Sequence, residues 1–115
     1  MTTSVVDGPA IIIGYEYRLQ IEAESDLFPV GATFTAQLRA KVSAAMPVTT
    51  LNSGNGCVTR VTDRVEELIV PAAATASLSP GSAVLDLVRT DLTPPRHLAF
   101  MLEIPVVQPV TRGLG

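Results

Sequence analysis

The chain has 115 residues, a length that suits one domain with one core, and its hydrophobic share of 47% is too high for disorder. With three Phe, two Tyr and no Trp, that core must be mostly aliphatic. A formal net charge of −3 argues against nucleic acid as a partner, because non-specific binding to phosphate backbones needs a basic surface.

The chain opens MTTSVVDGPAIIIGYEYR, without the basic region of a secretory signal, and its longest apolar run there is Ala10 to Ile13. No stretch reaches the roughly 18 apolar residues of a membrane helix. A protein that folds in a cytoplasm, with no membrane partner, is therefore expected. Residues 1–9 read as a flexible arm ended by the turn chemistry of Asp7-Gly8-Pro9. Ile11, Ile12 and Ile13 begin an extended stretch, so 1–14 is assigned to the arm and first extended segment and 15–112 to a single domain.

From Tyr15 the pattern has a period of two. Tyr15, Tyr17, Leu19 and Ile21 share one side, and Glu16, Arg18, Gln20 and Glu22 the other, which predicts a half-buried strand. AESDLFPVGA then breaks the pattern. TFTAQLRAKV is the cleanest strand signal, with Phe34, Ala36, Leu38, Ala40 and Val42 on one face. The stretch from Ser43 to Cys57 is rich in turn formers, with a short strand predicted over Pro47 to Leu51 and a tight turn at Asn55-Gly56. Strands are predicted at Val58 to Val61 and Glu66 to Val70. PAAATASLSPGS is the one helical candidate: Pro71 suits a first helical position, and Pro80-Gly81 ends the segment. Val84 to Arg89 and Leu98 to Val107 complete the strands. Pro105 lacks an N–H for a ladder and marks an edge or a bulge. The whole predicts an all-β fold: an immunoglobulin-like antiparallel β-sandwich of about seven strands, with one short helix or helical turn near residues 72–78. Strand alternation alone leaves a partly open barrel as the other architecture.

The chemistry-bearing residues are few. His97, the only histidine, shares the connection LVRTDLTPPRHLAF with Asp91, and the two could approach each other across it. A triad also needs a nucleophile and oxyanion donors, and no Gly-x-Ser-x-Gly elbow exists, so a solvated loop histidine is the preferred reading. Asp63, Glu66 and Glu67 lie close in sequence without the spacing of a metal loop, and Glu22, Glu24 and Asp26 read as a solvated acidic run. Cys57 is the only cysteine, so neither an internal disulfide nor a cysteine-built zinc site can form within one chain. It reads as a quiet strand residue, with Arg60 the only cation near it in sequence. No catalytic residue, metal site or cofactor is assigned, and a protein that works through its surfaces is expected.

YRLQIEAE leads to FPVGATFTAQLRAKV, then to CVTRVTDRVEELIV, PAAATASLSPGSAVLDLVRTD and LAFMLEIPVVQPVTR. This order of features resembles a class of small β-sandwich proteins from tailed bacteriophage virions, and its layout is similar to that of the N-terminal domain of the baseplate upper protein. The closest elements are TASLSPGSAVLDLVRTD, the F-x-A-x-L-R strand and the last strand closed by VTR, and the likeness covers roughly residues 15–112. The resemblance implies a non-enzymatic virion structural protein made in a bacterial host cytoplasm. Many such domains are fused to a longer stalk or receptor-binding region, so the module by itself implies a small piece seated on a larger assembly.

A capsid decoration or cement protein is the leading expectation, bound to the major capsid protein, homo-oligomeric and often trimeric around a local threefold. Many copies of a weak patch would give it avidity. The alternatives are a tail or baseplate component and a carbohydrate-binding module, the last weakened by the lack of Trp. An arm of nine residues reaches about 30 Å when extended, so Val5, Val6, Ile11, Ile12 and Ile13 are candidate contacts with a neighbouring subunit. The other reading of those residues is a first strand buried in its own core.

Overall fold

A computed structural model of the chain describes residues 2–5 and 10–111, the side chains of residues 2–5 and of Phe100 excepted. In chain order the strands are β1 (Thr2–Val5), β2 (Ile11–Ile12), β3 (Tyr17–Glu22), β4 (Phe34–Arg39), β5 (Thr49–Asn52), β6 (Val58–Thr62) and β7 (Val65–Val70). The helix α1 (Ala72–Thr75) then leads to β8 (Gly81–Arg89) and β9 (Arg96–Val107). The first sheet has the order β1-β3-β7-β6 and the second β2-β9-β8-β4-β5, so the fold is mostly β, with packed sheets and a half-barrel curvature. All pairs are antiparallel except β2 with β9, where Ile11 faces Val106 and Ile12 faces Val107.

The alternation read from sequence decides which side chains are inside. Tyr17, Leu19 and Ile21 of β3 are buried, and so are Phe34, Ala36 and Leu38 of β4. Leu68 and Val70 of β7, Ala83, Leu85 and Leu87 of β8, and Ile104 and Val106 of β9 meet them. In the second sheet Leu38 lies opposite Leu85, which lies opposite Leu102, so one apolar row crosses three strands. Phe28 and Phe34 pack edge to face in this core, with ring centroids 5.4 Å apart.

Among the described residues nine strands stand where about seven are expected. The difference arises largely at the N-terminus. Residues 2–5, expected in a flexible arm, form β1 along β3, with Thr2 opposite Glu22 and Val5 opposite Leu19, because β3 offers an open edge of backbone donors and acceptors. Residues 1, 6–9 and 112–115 lie outside the described residues. β4 ends at Arg39 rather than running on through Val42. A turn closes there, with the Ala44 N–H donating to Lys41 O at 3.0 Å and the Arg39 Nη1 donating to Ala44 O at 2.7 Å, which leaves Val42 65% exposed. Tyr15 also stands outside its strand, and its hydroxyl donates to Thr111 O at 2.7 Å.

Asn55-Gly56 is a turn, with Gly56 at φ +78, but it does not close a hairpin: β5 and β6 belong to different sheets. The Asn55 side chain shapes this crossing, accepting from Asn52 N and Cys57 N and donating to Thr50 O. The hairpin lies further on, where Asp63 and Arg64 join β6 to β7. The helix is one turn long and stops at Thr75, short of residue 78, with Pro71 as its N-cap rather than its first helical residue. Thr75 is fully buried, and its hydroxyl accepts from Gly14 N at 3.1 Å and donates to Tyr15 O at 2.8 Å, which fastens the chain after β2 to the helix.

Candidate functional site

The outward-facing residues of the second sheet form the most functional-looking surface. Strand alternation puts Gln37 and Arg39 of β4, Val84 and Asp86 of β8, and Met101 of β9 on the side away from the core, and Val42 closes one end. These residues line an open cleft of about 280 Å³. Arg39 is held by its own strand and turn: Nη2 donates to Gln37 Oε1 at 2.7 Å, while Nη1 is held by Ala44 O. Val42, Val84 and Met101 supply the apolar part, with Met101 59% exposed. The same side of β9 continues through Glu103, Pro105 and Val107, all exposed. β2 pairs only with Val106 and Val107, so Pro105 stands where the outer edge of β9 loses its neighbour.

His97 joins this face, with a partner other than the expected one. Asp91 is turned to Arg89, which donates from Nε at 2.9 Å and Nη2 at 3.0 Å, and it also accepts from Thr33 N at 3.2 Å. The hydrogen bond from Arg89 holds the Asp91 carboxyl down at about 2. His97 instead reaches Asp86, with Nε2 to Oδ2 at 2.8 Å. An irregularity in β9 brings this about. Asp86 lies opposite Met101 but Val88 lies opposite His97, so β9 carries extra residues against Leu87, with Ala99 at φ +63. Such a bulge re-aims a side chain. The Ala99 N–H donates to His97 Nδ1 at 2.8 Å. Nδ1 is therefore an acceptor, and Nε2 carries the hydrogen that meets the Asp86 carboxylate. Both ring nitrogens are engaged, which leaves neither to activate a nucleophile.

The N-terminal candidates divide. Val5 lies in β1, and Val6 falls outside the described residues. Ile11 is fully buried opposite Val106, so no face of it remains for a neighbour. Ile13 packs against the same core and donates its N–H to Val107 O at 3.0 Å, while Ile12 is half-buried. Cys57 is half-buried beside the core. Among the described residues no three His, Cys, Asp or Glu side chains converge as for a metal ion, and no helix is long and apolar enough to cross a membrane.

Glu66 carries a feature that sequence reading passed over. The sequence places it in a short apolar strand, without the spacing of a metal loop. It alternates with Leu68 and Val70, and the structure puts all three on the inward face, with Glu66 2% exposed. That alternation was the available signal. Its Oε2 has no hydrogen-bond partner, and burial pushes its carboxyl up to about 7 against a smaller opposing pull from Arg60. No family model matches the chain, and no curated protein matches it.

Proposed function

We propose that this chain is a non-enzymatic structural module of a tailed-phage virion, a decoration protein that seats the outer face of its second sheet on the assembled head. The observation that carries the reading is that face. Val42, Val84 and Met101 stand beside Arg39, Asp86 and Glu103 on a sheet whose other side is the core. A mixed surface of exposed apolar and charged side chains on a rigid sheet suits protein contact. The engagement of both His97 nitrogens and of Asp91 supports a role without catalysis. The major capsid protein is the partner, and repeated copies, as a homo-oligomer such as a trimer, add avidity to a weak contact. The protein is then made in the bacterial host cytoplasm and located in the virion.

We infer further that the two sheets are an immunoglobulin-like sandwich. The orders β1-β3-β7-β6 and β9-β8-β4 follow the A-B-E-D and G-F-C arrangement of that fold, with β5 as an added edge. The resemblance of the sequence layout to the baseplate upper protein domain favours a tail or baseplate position as the second reading. The convergence of Gln37, Arg39 and Asp86 on one cleft keeps a carbohydrate ligand as a third.

Sedimentation with purified heads, and separately with tails, of the phage that encodes the chain tests these readings. Near-stoichiometric recovery with heads supports decoration. Recovery with tails alone moves the protein to the baseplate, and glycan binding by the isolated domain supports the third reading. Binding to none of them overturns the virion assignment.

A further inference from the structure

The first half of the loop between β3 and β4 (residues 23–33) is fastened to the β6–β7 hairpin, while Thr33 at its far end is tied to Thr90 and Asp91. The Ala23 N–H donates to Arg64 O at 2.7 Å, and the Phe28 N–H donates to Asp63 O at 2.9 Å. Arg64 Nε pairs with Asp26 Oδ1 at 2.9 Å. Arg60 Nε donates to Phe28 O at 2.9 Å, and its Nη2 pairs with Asp63 Oδ1. Phe28 is the plug held in this way, fully buried against Phe34.

Glu66 lies directly opposite Arg60 across the β6–β7 ladder and opposite Ile21 across the β3–β7 ladder. What faces it is nearly all apolar. β3 supplies Ile21 with Leu19, its own strand supplies Leu68, and β4 and β5 turn Phe34, Ala36, Leu38 and Leu51 into the same core. The charged groups at this end are Asp63 and Arg64 at the hairpin tip, Glu22 opposite Val65, Glu24 and Asp26 on the loop, and Arg60, whose charge acts on the Glu66 carboxyl. Arg60 is committed to Phe28 and Asp63 while Glu66 Oε2 is left without a partner. That arrangement suits a neutral carboxyl. A buried carboxylate would need the arginine.

We propose that Glu66 and Arg60 form a proton-operated latch on this loop. While Glu66 holds its proton, Arg60 clamps the Phe28 carbonyl. When the proton leaves to solvent, the carboxylate draws Arg60 inward, and the clamp on the 23–33 loop opens.

Hydrogen exchange of the whole chain at pH 5 and pH 8.5, corrected for the intrinsic rate, tests the latch. The expected result is that amides of residues 23–28 lose protection at the higher pH by about tenfold or more beyond whatever β4 and β8 lose through the general fall in stability. Glu66→Gln should hold the loop at both pH values, with Glu66→Leu as the second variant should the amide not fold. Arg60→Gln should leave the loop loose already at pH 5. Equal wild-type protection at the two pH values overturns the latch. So does the same loss in Glu66→Gln, or a loss that spreads evenly to β4 and β8.

Discussion

Glu66 and Asp91 are both carboxyls with an arginine close by, and their surroundings drive them in opposite directions. Asp91 sits on a connection at the rim, where Arg89 grips both of its oxygens and water reaches the pair. Its carboxyl falls to about 2 because the hydrogen bonds favour the charged form. Glu66 faces the core, Arg60 is turned to the loop, and burial raises its carboxyl to about 7. The contrast teaches that an arginine neighbour in sequence or register does not fix the state of a carboxyl. What fixes it is where the guanidinium points and how much water remains.

The largest effect with which to probe the Glu66 end is truncation of its plug. Phe28→Ala should cost about 3–5 kcal/mol in chemical denaturation, the usual penalty for emptying a buried phenyl site. A loss below about 1 kcal/mol would mean that the loop does not seal the core. Next comes the pH dependence. A carboxyl raised from 4.5 to about 7 binds more proton in the folded chain than in the unfolded chain between those values. Stability is therefore full below the lower value, falls as pH rises towards the upper one, and is flat beyond it, a total of about 3 kcal/mol. Denaturation midpoints from pH 4 to 8.5 should show that fall in wild type and lose it in Glu66→Gln.

Glu66→Leu sharpens the same point from the other side. At pH 8 it should be more stable than wild type by roughly 1–3 kcal/mol, because a desolvated carboxylate is replaced by an apolar side chain. His97→Ala tests the bulge. Its pair with Asp86 is about half exposed, so the cost should stay within about 1 kcal/mol. Asp91→Asn should be the mildest, visible chiefly as the loss of a small decline in melting temperature as pH falls below the ordinary carboxylate range. A large destabilisation there would undo the comparison.

The parts legible in sequence were those where period-two alternation meets a buried face. Phe34, Ala36 and Leu38, or Ala83, Leu85 and Leu87, announce their orientation without help. Phe28 was illegible because it stands in a loop, where no period marks its direction, and only the hairpin behind it turns it inward. Glu66 was legible in principle, yet its charge argued against the alternation that placed it with Leu68 and Val70. The His97–Asp86 pair depends on extra residues in β9 at Ala99, a register event that no local propensity in LVRTDLTPPRHLAF signals. The parallel pairing of Ile11 with Val106 joins residues 95 positions apart, and alternation carries no information at that range.

The proposed seat of this protein on a phage head is the outer face of the second sheet. Met101 is an exposed apolar side chain of that face, so the first measurement is sedimentation of wild type and Met101→Asp with purified heads. Near-stoichiometric recovery of wild type with heads and loss of recovery for the folded variant are expected. Equal recovery of both would move the contact elsewhere on the molecule, and no recovery of wild type would contradict the head assignment outright.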